Sequence, residues 1–174
     1  IGTIADLIEY RSKKEKLIKK ISEEKVNTEF GSMNLIMYSD LLTKNMHLAL
    51  VKGVIKKNDE VMVRVHEPLS ILDFISRETS HSWPPLRAIE AINNEEKGVI
   101  IFLNYNESQD SITSKLSLKN TALKKSTDLR NYGIGSQILV DIGVTKMKLL
   151  AAPRKMPSMT GYGLQVTEFI ENNL

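Results

Sequence analysis

The sequence of 174 residues predicts a mixed α/β fold, in which an antiparallel β half is followed by helices and strands that alternate on a mixed sheet. Two observations predict this arrangement. From Asn27 to His66, apolar residues recur in short β-rich runs separated by turn residues. After His66, stretches with helical periodicity alternate with apolar runs typical of buried strands. The length suits one core, so we expect a single domain with an N-terminal arm.

The composition excludes several classes of protein. Hydrophobic content of 41% and charged content of 26% are ordinary for a soluble protein, and no apolar run is long enough to cross a bilayer. The net charge of +3 is too small to indicate nucleic-acid binding. Because there is no cysteine, disulfides and thiolate metal sites are impossible. We expect a cytoplasmic protein, without a visible secretion signal, that is processed or excised from a longer chain.

The N-terminal arm has a helical pattern. Over residues 4–22, apolar side chains recur near the helical period with lysines between them. This pattern predicts an amphipathic helix, and we interpret residues 1–25 as an interdomain linker helix. Its apolar face lacks the Trp or Phe anchors of a membrane-surface helix, so the lysine face is more simply interpreted as a solvated face than as a membrane- or RNA-binding one.

The next stretch of the chain has strand periodicity. Strand-like runs at 28–40, 45–55 and 60–67, with a turn at Lys57-Asn58-Asp59, predict an antiparallel meander.

Two helix-strand units then follow. The first unit is "PPLRAIEAINNEEKG" followed by "VIIFL", with prolines at the helix entrance. In the second, "DLRNYGIGSQILVDIG" predicts a helix with Asp128 as its N-cap, and "TKMKLLAA" predicts a strand. "GYGLQVTEFI" predicts the last strand. Residues 104–127 are polar and Ser-rich, and they predict a mobile loop.

The order "VRVH", a helix, "GVIIFL", "DLRNYGIGSQILVDIGVTKMKLL", "PRK" and "GYGLQV" resembles the GTP cyclohydrolase II domain of riboflavin biosynthesis. The resemblance covers nearly the whole chain, and residues 128–168 are its most specific part. The first residues, "IGTIADLIEYR", resemble the junction of fused bacterial proteins in which a 3,4-dihydroxy-2-butanone 4-phosphate synthase domain comes first. The resemblance therefore implies that residues 26–174 are a GTP cyclohydrolase II-like domain, the C-terminal half of a bifunctional protein.

The resemblance implies chemistry that depends on a metal. In the family, a zinc-activated water opens the imidazole ring of GTP with loss of formate and pyrophosphate, and magnesium assists at the phosphates. The three zinc-ligand positions correspond here to Leu69, Ser80 and Ser82. A leucine cannot bind zinc and neutral serines are poor ligands, so we expect no metal or other cofactor in this domain. Magnesium is expected for the upstream synthase domain.

The other site residues of the family are partly present. The resemblance implies that Asp128 is the catalytic proton acceptor, that Arg130 is the nucleophile, and that Arg64, His66 and Lys155 contact the nucleotide. The residues themselves also allow plainer roles: an N-cap for Asp128, a salt bridge for Arg130, and surface or ion-paired charge for Arg64 and Lys155.

Several polar contacts of the family's nucleotide site are missing from the sequence. Its arginine-containing phosphate loop becomes "NYNES", and its polar turn before the lysine becomes Ala151-Ala152-Pro153.

Several other residues could have either a functional or a purely structural role. His66 and His81, with Glu67 and Asp73, could form a replacement zinc site, although a histidine satisfied within the core is far commoner. Arg64, Arg130 and Lys155 could form an anion pocket without a metal. We interpret Gly133 and Gly135 as a helix-packing pair. Trp83 is expected to cap the core at a helix entrance rather than to stack on a base.

Three functional hypotheses follow. The first is a catalytically inactive GTP cyclohydrolase II-like domain with a structural, oligomerisation or regulatory role for its synthase domain. The second is an active GTP cyclohydrolase II, and the third is a sensor that binds GTP or a pathway phosphate without turnover. The expected partners are the upstream synthase domain and a second copy of the chain, because fused proteins of this type are usually dimers.

Overall fold

The computed structural model describes residues 14–67, 83–105, 125–156 and 159–172, together with Tyr10, Asp73 and Thr113. For residues 125–129 it describes the backbone alone. Leu69, Ser80, His81 and Ser82 lie outside the described residues, as does most of the loop predicted over 104–127.

The described residues form one seven-stranded sheet, two α-helices and a 3₁₀ turn at Thr160–Tyr162. The helices are α1 (Pro85–Asn94) and α2 (Lys125–Ile142). The strands are β1 (Ile18–Thr28), β2 (Gly31–Asp40), β3 (Met46–Lys52), β4 (Glu60–His66), β5 (Gly98–Phe102), β6 (Lys146–Leu150) and β7 (Gln165–Ile170). No helix among the described residues is long and apolar enough to span a bilayer.

The sheet is mixed, as predicted. Its strand order is β1-β2-β3-β5-β4-β6-β7. The pairs from β1 to β5 are antiparallel, whereas β5, β4, β6 and β7 run parallel to one another. The predicted antiparallel meander is therefore correct for β2 and β3 and wrong for β4. Strand β5 lies between β3 and β4, antiparallel to β3 and parallel to β4, so β3 and β4 do not pair with each other.

One helix packs on each face of the sheet. In β5, Val99 and Ile101 belong to the core cluster that contains Ile138 of α2, whereas Ile100 belongs to the cluster that contains Ile92 of α1. This alternation follows from the two-residue period of a strand. Because both faces of β5 are covered, its sequence is a continuous apolar run rather than an alternating one.

The end of α2 is fixed by a glycine. Gly143 has φ +97, a left-handed conformation that costs a glycine little. Its N–H donates to Val140 O at 3.0 Å, and the N–H of Val144 donates to Leu139 O at 3.0 Å. The buried Val144 joins the same core cluster as Leu139. This C-terminal cap satisfies helix carbonyls and turns the chain directly into β6.

Several local predictions can be compared with the structure. The helix predicted over 4–22, and the linker helix to residue 25, are wrong from Ile18 onward, because β1 begins there and pairs with β2. Tyr10 and Lys14 are helical. Asp128 is not an N-cap, because α2 begins three residues earlier, at Lys125.

The packing roles predicted for Trp83 and Gly133 are confirmed, whereas at Gly135 a Cβ would meet its nearest atom, Val65 Cγ1, at an ordinary contact distance of 3.5 Å. Trp83, at the entrance of α1, packs on the core cluster that contains Ile92 and donates from Nε1 to Ile170 O at 2.8 Å. At Gly133 a Cβ would lie 3.1 Å from Tyr162 Oη and 3.3 Å from Leu17 Cδ1, so the helix approaches its neighbours closely there.

We expect Gly53→Ala to lower the free energy of unfolding much more than Gly143→Ala. Both glycines have positive φ, which costs about 1–2 kcal/mol for an L-residue. At Gly53 a Cβ would also lie 2.4 Å from Glu96 O, whereas at Gly143 nothing lies within 4 Å. The clash should add about 1–3 kcal/mol, measurable by urea denaturation of both variants. Equal losses in the two variants would contradict this assignment.

Candidate functional site

The candidate site lies at the carboxyl ends of β4 and β5. These strands are parallel and adjacent, so their ends meet at one edge of the sheet, where ligands of open α/β sheets usually bind. The N–H of Leu103 donates to His66 O at 3.0 Å and holds the two exits together. Asn131 of α2 donates from Nδ2 to Glu67 Oε1, which fastens the helix to the exit of β4.

Arg130 of α2 forms a bidentate ion pair with Asp40 at the end of β2. Its Nη1 donates to Asp40 Oδ2 at 2.6 Å, and its Nη2 donates to Asp40 Oδ1 at 2.7 Å. The side chain of Asp40 is 0% exposed and that of Arg130 is 29% exposed. A planar fork of this kind is the strongest geometry for an arginine-carboxylate pair. Arg130 therefore forms the salt bridge that its plainer interpretation predicted, with a partner that the sequence did not indicate.

The carboxylate of Asp40 also organises the turn between β2 and β3. Its Oδ1 accepts hydrogen bonds from the N–H of Leu42 at 2.8 Å and of Thr43 at 3.1 Å. Burial raises the pKa of Asp40, but the hydrogen bonds from Arg130, Thr43 and Leu42 outweigh it and hold the pKa well below its usual range. The side chain of Asp40 is therefore an ionised carboxylate near neutral pH, with both oxygens bound to partners within the protein.

The buried side chain of His47 and the partly buried ring of Tyr105 flank this ion pair. His47 stacks obliquely on Tyr105, with ring centroids 5.3 Å apart, and its Nδ1 accepts a hydrogen bond from the N–H of Asn104 at 3.2 Å. Burial, together with the charge of Arg130, lowers the pKa of His47 against the opposing effect of Asp40. Because Nδ1 is an acceptor, the neutral ring carries its proton on Nε2. Neither His47 nor Tyr105 was predicted to be near the site.

Arg64 and His66 project from the same face of β4, two residues apart. Arg64 donates from Nη1 to Leu150 O at 2.8 Å and from Nη2 to Trp83 O at 3.3 Å. His66 places Nε2 2.8 Å from Oδ2 of Asp73. Both side chains thus have partners within the protein at the positions where the family's nucleotide contacts are implied.

A cavity of about 220 Å³ lies beside the ends of β4 and β6. Arg64 and Arg154 line it, whereas Arg130 and Lys155 do not. The three cationic residues that were considered as an anion pocket are therefore not assembled around this cavity. Lys155 is exposed, and its implied contact with the nucleotide stays a prediction.

The catalytic role implied for Asp128 also stays a prediction, because nothing is described of its side chain. Asp128 is the fourth residue of α2 and Arg130 the sixth. A metal site is not supported by the donor groups that are described. Within residues 14–67, 83–105, 125–156 and 159–172, no three His, Asp or Glu side chains cluster closely enough to hold a metal ion. The chain has no cysteine to supply a thiolate.

Five residues of the site were not predicted from the sequence: Asp40, His47, Tyr105, Asn131 and Arg154. Asp40 and His47 stand in β-rich stretches without a motif of their own. The other three lie beside residues that the resemblance singled out: Tyr105 in "NYNES", Asn131 directly after Arg130, and Arg154 before the lysine of "PRK".

Comparison with known proteins places these residues in a family. The family model described as GTP cyclohydrolase II matches residues 19–171. A 3,4-dihydroxy-2-butanone 4-phosphate synthase of Neisseria meningitidis serogroup B is 42% identical over 171 residues, which are 98% of this chain and 47% of the relative. A riboflavin biosynthesis protein RibBA of Endomicrobium trichonymphae is 32% identical over 182 residues, covering 97% of this chain and 45% of the relative.

A solved structure is also similar over the whole chain. The crystal structure of RibBX, a two-domain 3,4-dihydroxy-2-butanone 4-phosphate synthase from A. baumannii, matches with a TM-score of 0.73 and 31% identity. The match covers 99% of this chain and 46% of that one. The chain thus spans about half the length of the relatives that it matches.

We expect Arg130→Ala to lower the free energy of unfolding at pH 7 by about 2–3 kcal/mol, since it leaves a buried carboxylate without its cation. This loss is smaller than the roughly 3–5 kcal/mol usual for breaking a buried ion pair, because the N–H groups of Leu42 and Thr43 still donate hydrogen bonds to the carboxylate of Asp40. Arg87→Ala is the matched control, because Arg87 is exposed and its pair with Glu90 spans 3.9 Å. That variant should change stability by less than about 0.5 kcal/mol.

The same pair predicts a dependence on pH. Because the pKa of Asp40 is lowered by folding, its contribution is fully present above the unfolded pKa of about 4 and is lost as the pH falls through the lowered pKa of the folded state. The stability difference between the wild-type chain and Arg130→Ala should therefore begin to narrow below about pH 5 and keep narrowing as the pH is lowered further, measured by denaturant titration at about five pH values. A difference that stays constant would show that Asp40 and Arg130 are not coupled.

Proposed function

The chain belongs to the GTP cyclohydrolase II family, and from this premise we propose that it is a non-catalytic member domain of a longer riboflavin-biosynthesis protein. Its role is structural or regulatory, and it serves a 3,4-dihydroxy-2-butanone 4-phosphate synthase domain in the same polypeptide. Relatives that carry the synthase name, and a two-domain structure of that name, support this assignment.

The observation that carries the proposal is the ion pair between Arg130 and Asp40. The resemblance implies that Arg130 attacks the substrate as a nucleophile. Here both Nη atoms donate to a carboxylate with no solvent exposure. The hydrogen bonds to Asp40 raise the pKa of Arg130 further, so the guanidinium stays protonated. A protonated guanidinium that is held in a fork has no free lone pair for attack.

The residues at the family's three zinc-ligand positions also support a non-catalytic domain. Formation of a hydroxide at neutral pH requires a metal with an open coordination position, and basic side chains do not replace that function. The family's ligand positions correspond to Leu69, Ser80 and Ser82, none of which supplies a strong zinc ligand. The residues present therefore do not fit a zinc ion, and we expect none to be required in this domain.

A set of hydrogen bonds that fastens residues 15–17 to the domain, called here the Gln137 clamp, supports the structural role. The side-chain amide of Gln137, in α2, accepts a hydrogen bond from the N–H of Leu17 at 2.8 Å and donates to Glu15 O at 2.8 Å. The carbonyl of Leu17 accepts from the N–H of Leu41, also at 2.8 Å. The chain that enters the domain is thus fastened to α2 and to the end of β2, a geometry suited to holding a preceding domain in one orientation.

A second candidate function is a sensor that binds a phosphate-bearing ligand without turnover. The cavity lined by Arg64 and Arg154 favours it, since guanidinium groups bind phosphate without a metal. A homodimer in the cytoplasm is the assembly that we propose for the whole protein.

We expect the chain to release no formate from GTP, with or without added zinc and magnesium. The measurement is formate production in a coupled assay, with bound zinc determined on the same sample. The matched control is a GTP cyclohydrolase II domain that carries the three zinc-binding cysteines. Steady formate release that depends on stoichiometric zinc would overturn the non-catalytic assignment.

We expect Gln137→Ala, in the complete two-domain protein, to loosen the junction without unfolding the domain. Two lost hydrogen bonds cost about 1–3 kcal/mol locally, so limited proteolysis near residues 14–17 should become faster by about tenfold. Synthase activity or dimer formation should fall in parallel. The control is Gln165→Ala, because Gln165 is an exposed residue at the start of β7.

Removal of residues 1–174 from the complete protein is the companion experiment. An unchanged synthase rate and an unchanged assembly state after this deletion would argue against a structural or regulatory role.

A further inference from the structure

Three large apolar side chains are exposed on the turn between β2 and β3. Leu41, Leu42 and Met46 are 38%, 76% and 46% exposed. Residues 41–46, called here the leucine turn, thus carry two leucines and a methionine where turns usually carry Gly, Asn, Asp or Ser. Single exposed apolar residues are ordinary, but several of them on one short turn indicate a contact surface.

The leucine turn is held in one conformation by hydrogen bonds. The carboxylate of Asp40 accepts from the N–H groups of Leu42 and Thr43. The N–H of Asp40 donates to Asn45 O at 2.8 Å, and the N–H of Lys44 donates to Asp40 O at 3.0 Å. Because the turn is already ordered, docking of a partner on it costs little conformational entropy.

The leucine turn lies beside the segment through which the chain enters the domain. The N–H of Leu41 donates to Leu17 O at 2.8 Å, and the N–H of Leu17 donates to Gln137 Oε1 at 2.8 Å. Through Lys14, the same segment lines an open groove of about 430 Å³, together with the exposed Val140. Exposed apolar surface therefore gathers where the chain enters.

The size of the leucine turn favours a tethered partner over a separate one. Stable complexes between separate proteins bury about 800 Å² per partner, contributed by about 20–30 residues on each side. The leucine turn offers six residues. A domain joined by a short linker is present at an effective concentration in the millimolar range, so a small contact is enough to hold it. A second copy of the chain would need a much larger surface.

The charge of the entering segment indicates the chemistry of the partner surface. Of residues 11–20, six are basic and one, Glu15, is acidic. The lysines of this stretch that the structure describes are all exposed: Lys14, Lys16, Lys19 and Lys20. Apolar side chains next to a basic stretch fit a surface that has an apolar centre and an acidic rim.

We propose that the leucine turn, together with the groove at Val140, is the surface on which the preceding domain of the complete protein docks. The inference rests on the proposed structural role and names the contact through which that role is exerted. Leu42 is the central contact, because it is the most exposed large apolar side chain among the described residues. The Gln137 clamp fixes the entering main chain, whereas the leucine turn contacts the body of the preceding domain.

Leu42→Glu in the complete two-domain protein tests the proposal. Trypsin cleaves after Lys and Arg, so the basic residues at 11–16 report on contact between the two domains. Replacing a docked leucine by a charge should shift the docking equilibrium by about tenfold or more, and cleavage within residues 11–16 should accelerate by a similar factor. Small-angle X-ray scattering should show a larger particle. Met46→Glu, on the same turn, should act in the same direction.

Val54→Glu is the matched control, because Val54 is 74% exposed and lies in the connection at the other end of β3. It should change neither cleavage nor particle size. Thermal unfolding at the wild-type temperature shows that each variant is folded. Unchanged cleavage in Leu42→Glu, or equal acceleration in Val54→Glu, would overturn the proposal. A dimer that Leu42→Glu dissociates without faster cleavage would overturn it too, since the turn would then contact a second copy.

Salt tests the acidic rim of the partner surface. At about 0.5 M salt the Debye length falls to about 4 Å, so attraction between exposed charges is screened. The wild-type complete protein should then give a larger particle in scattering. A particle size that does not depend on salt would contradict the acidic rim.

The docking surface and the structural role can fail separately. If deletion of residues 1–174 impairs the synthase while Leu42→Glu changes neither cleavage nor particle size, the structural role stands and the docking surface is wrong. If the deletion has no effect while Leu42→Glu accelerates cleavage, the domains dock on the leucine turn but the synthase does not depend on it.

Discussion

The bidentate ion pair between Asp40 and Arg130 is the interaction on which the arrangement of the site depends. It joins the last residue of β2 to the first turns of α2, and Asp40 simultaneously holds the turn toward β3 through Leu42 and Thr43. A second link joins the same two elements, because Tyr38 donates to Asp141 at 2.8 Å. The helix is thus fixed to one strand at both ends, so its remaining side chains have a defined orientation.

The chemistry available to the domain follows from how its charged groups are used. Arg130 neutralises a buried carboxylate, Arg64 donates to two main-chain carbonyls, and His66 contacts Asp73. Arg64 and His66 stand where the family implies contact with the nucleotide, and Arg130 stands where it implies the nucleophile. Each of the three has a partner within the protein. Hydrogen bonds to internal partners stabilise the fold, but they also make the groups less available to a substrate. The domain thus keeps the family's fold, and its charged side chains at these positions stabilise that fold through internal contacts.

The architecture does not require the catalytic groups. The two core clusters on opposite faces of the sheet are built from apolar side chains of β1 to β6, of the two helices and of the segments next to them. The clamp at Gln137 and the close contact at Gly133 fasten the entering chain to the same helix. These contacts are independent of any metal ligand, which explains in physical terms how a domain that lacks the zinc-binding cysteines can still fold around the family's sheet.

The sequence by itself determined the mixed α/β class, the strands β2 to β7 and both helices, because these depend on local periodicity within contiguous segments. The resemblance to the family was also visible in the sequence, because the matching motifs are contiguous segments of the chain. It did not determine that residues 18–22 join the sheet, because their apolar spacing also fits a helix and only pairing with β2 decides between the two. Nor did it show that β5 lies between β3 and β4. Asp40 and Arg130 are 90 residues apart, and the two arginines of the cavity come from different strand exits. Such contacts form only when the strands and helices assemble into the tertiary structure. The residue pattern of one segment carries no information about which distant side chain will lie next to it in the fold.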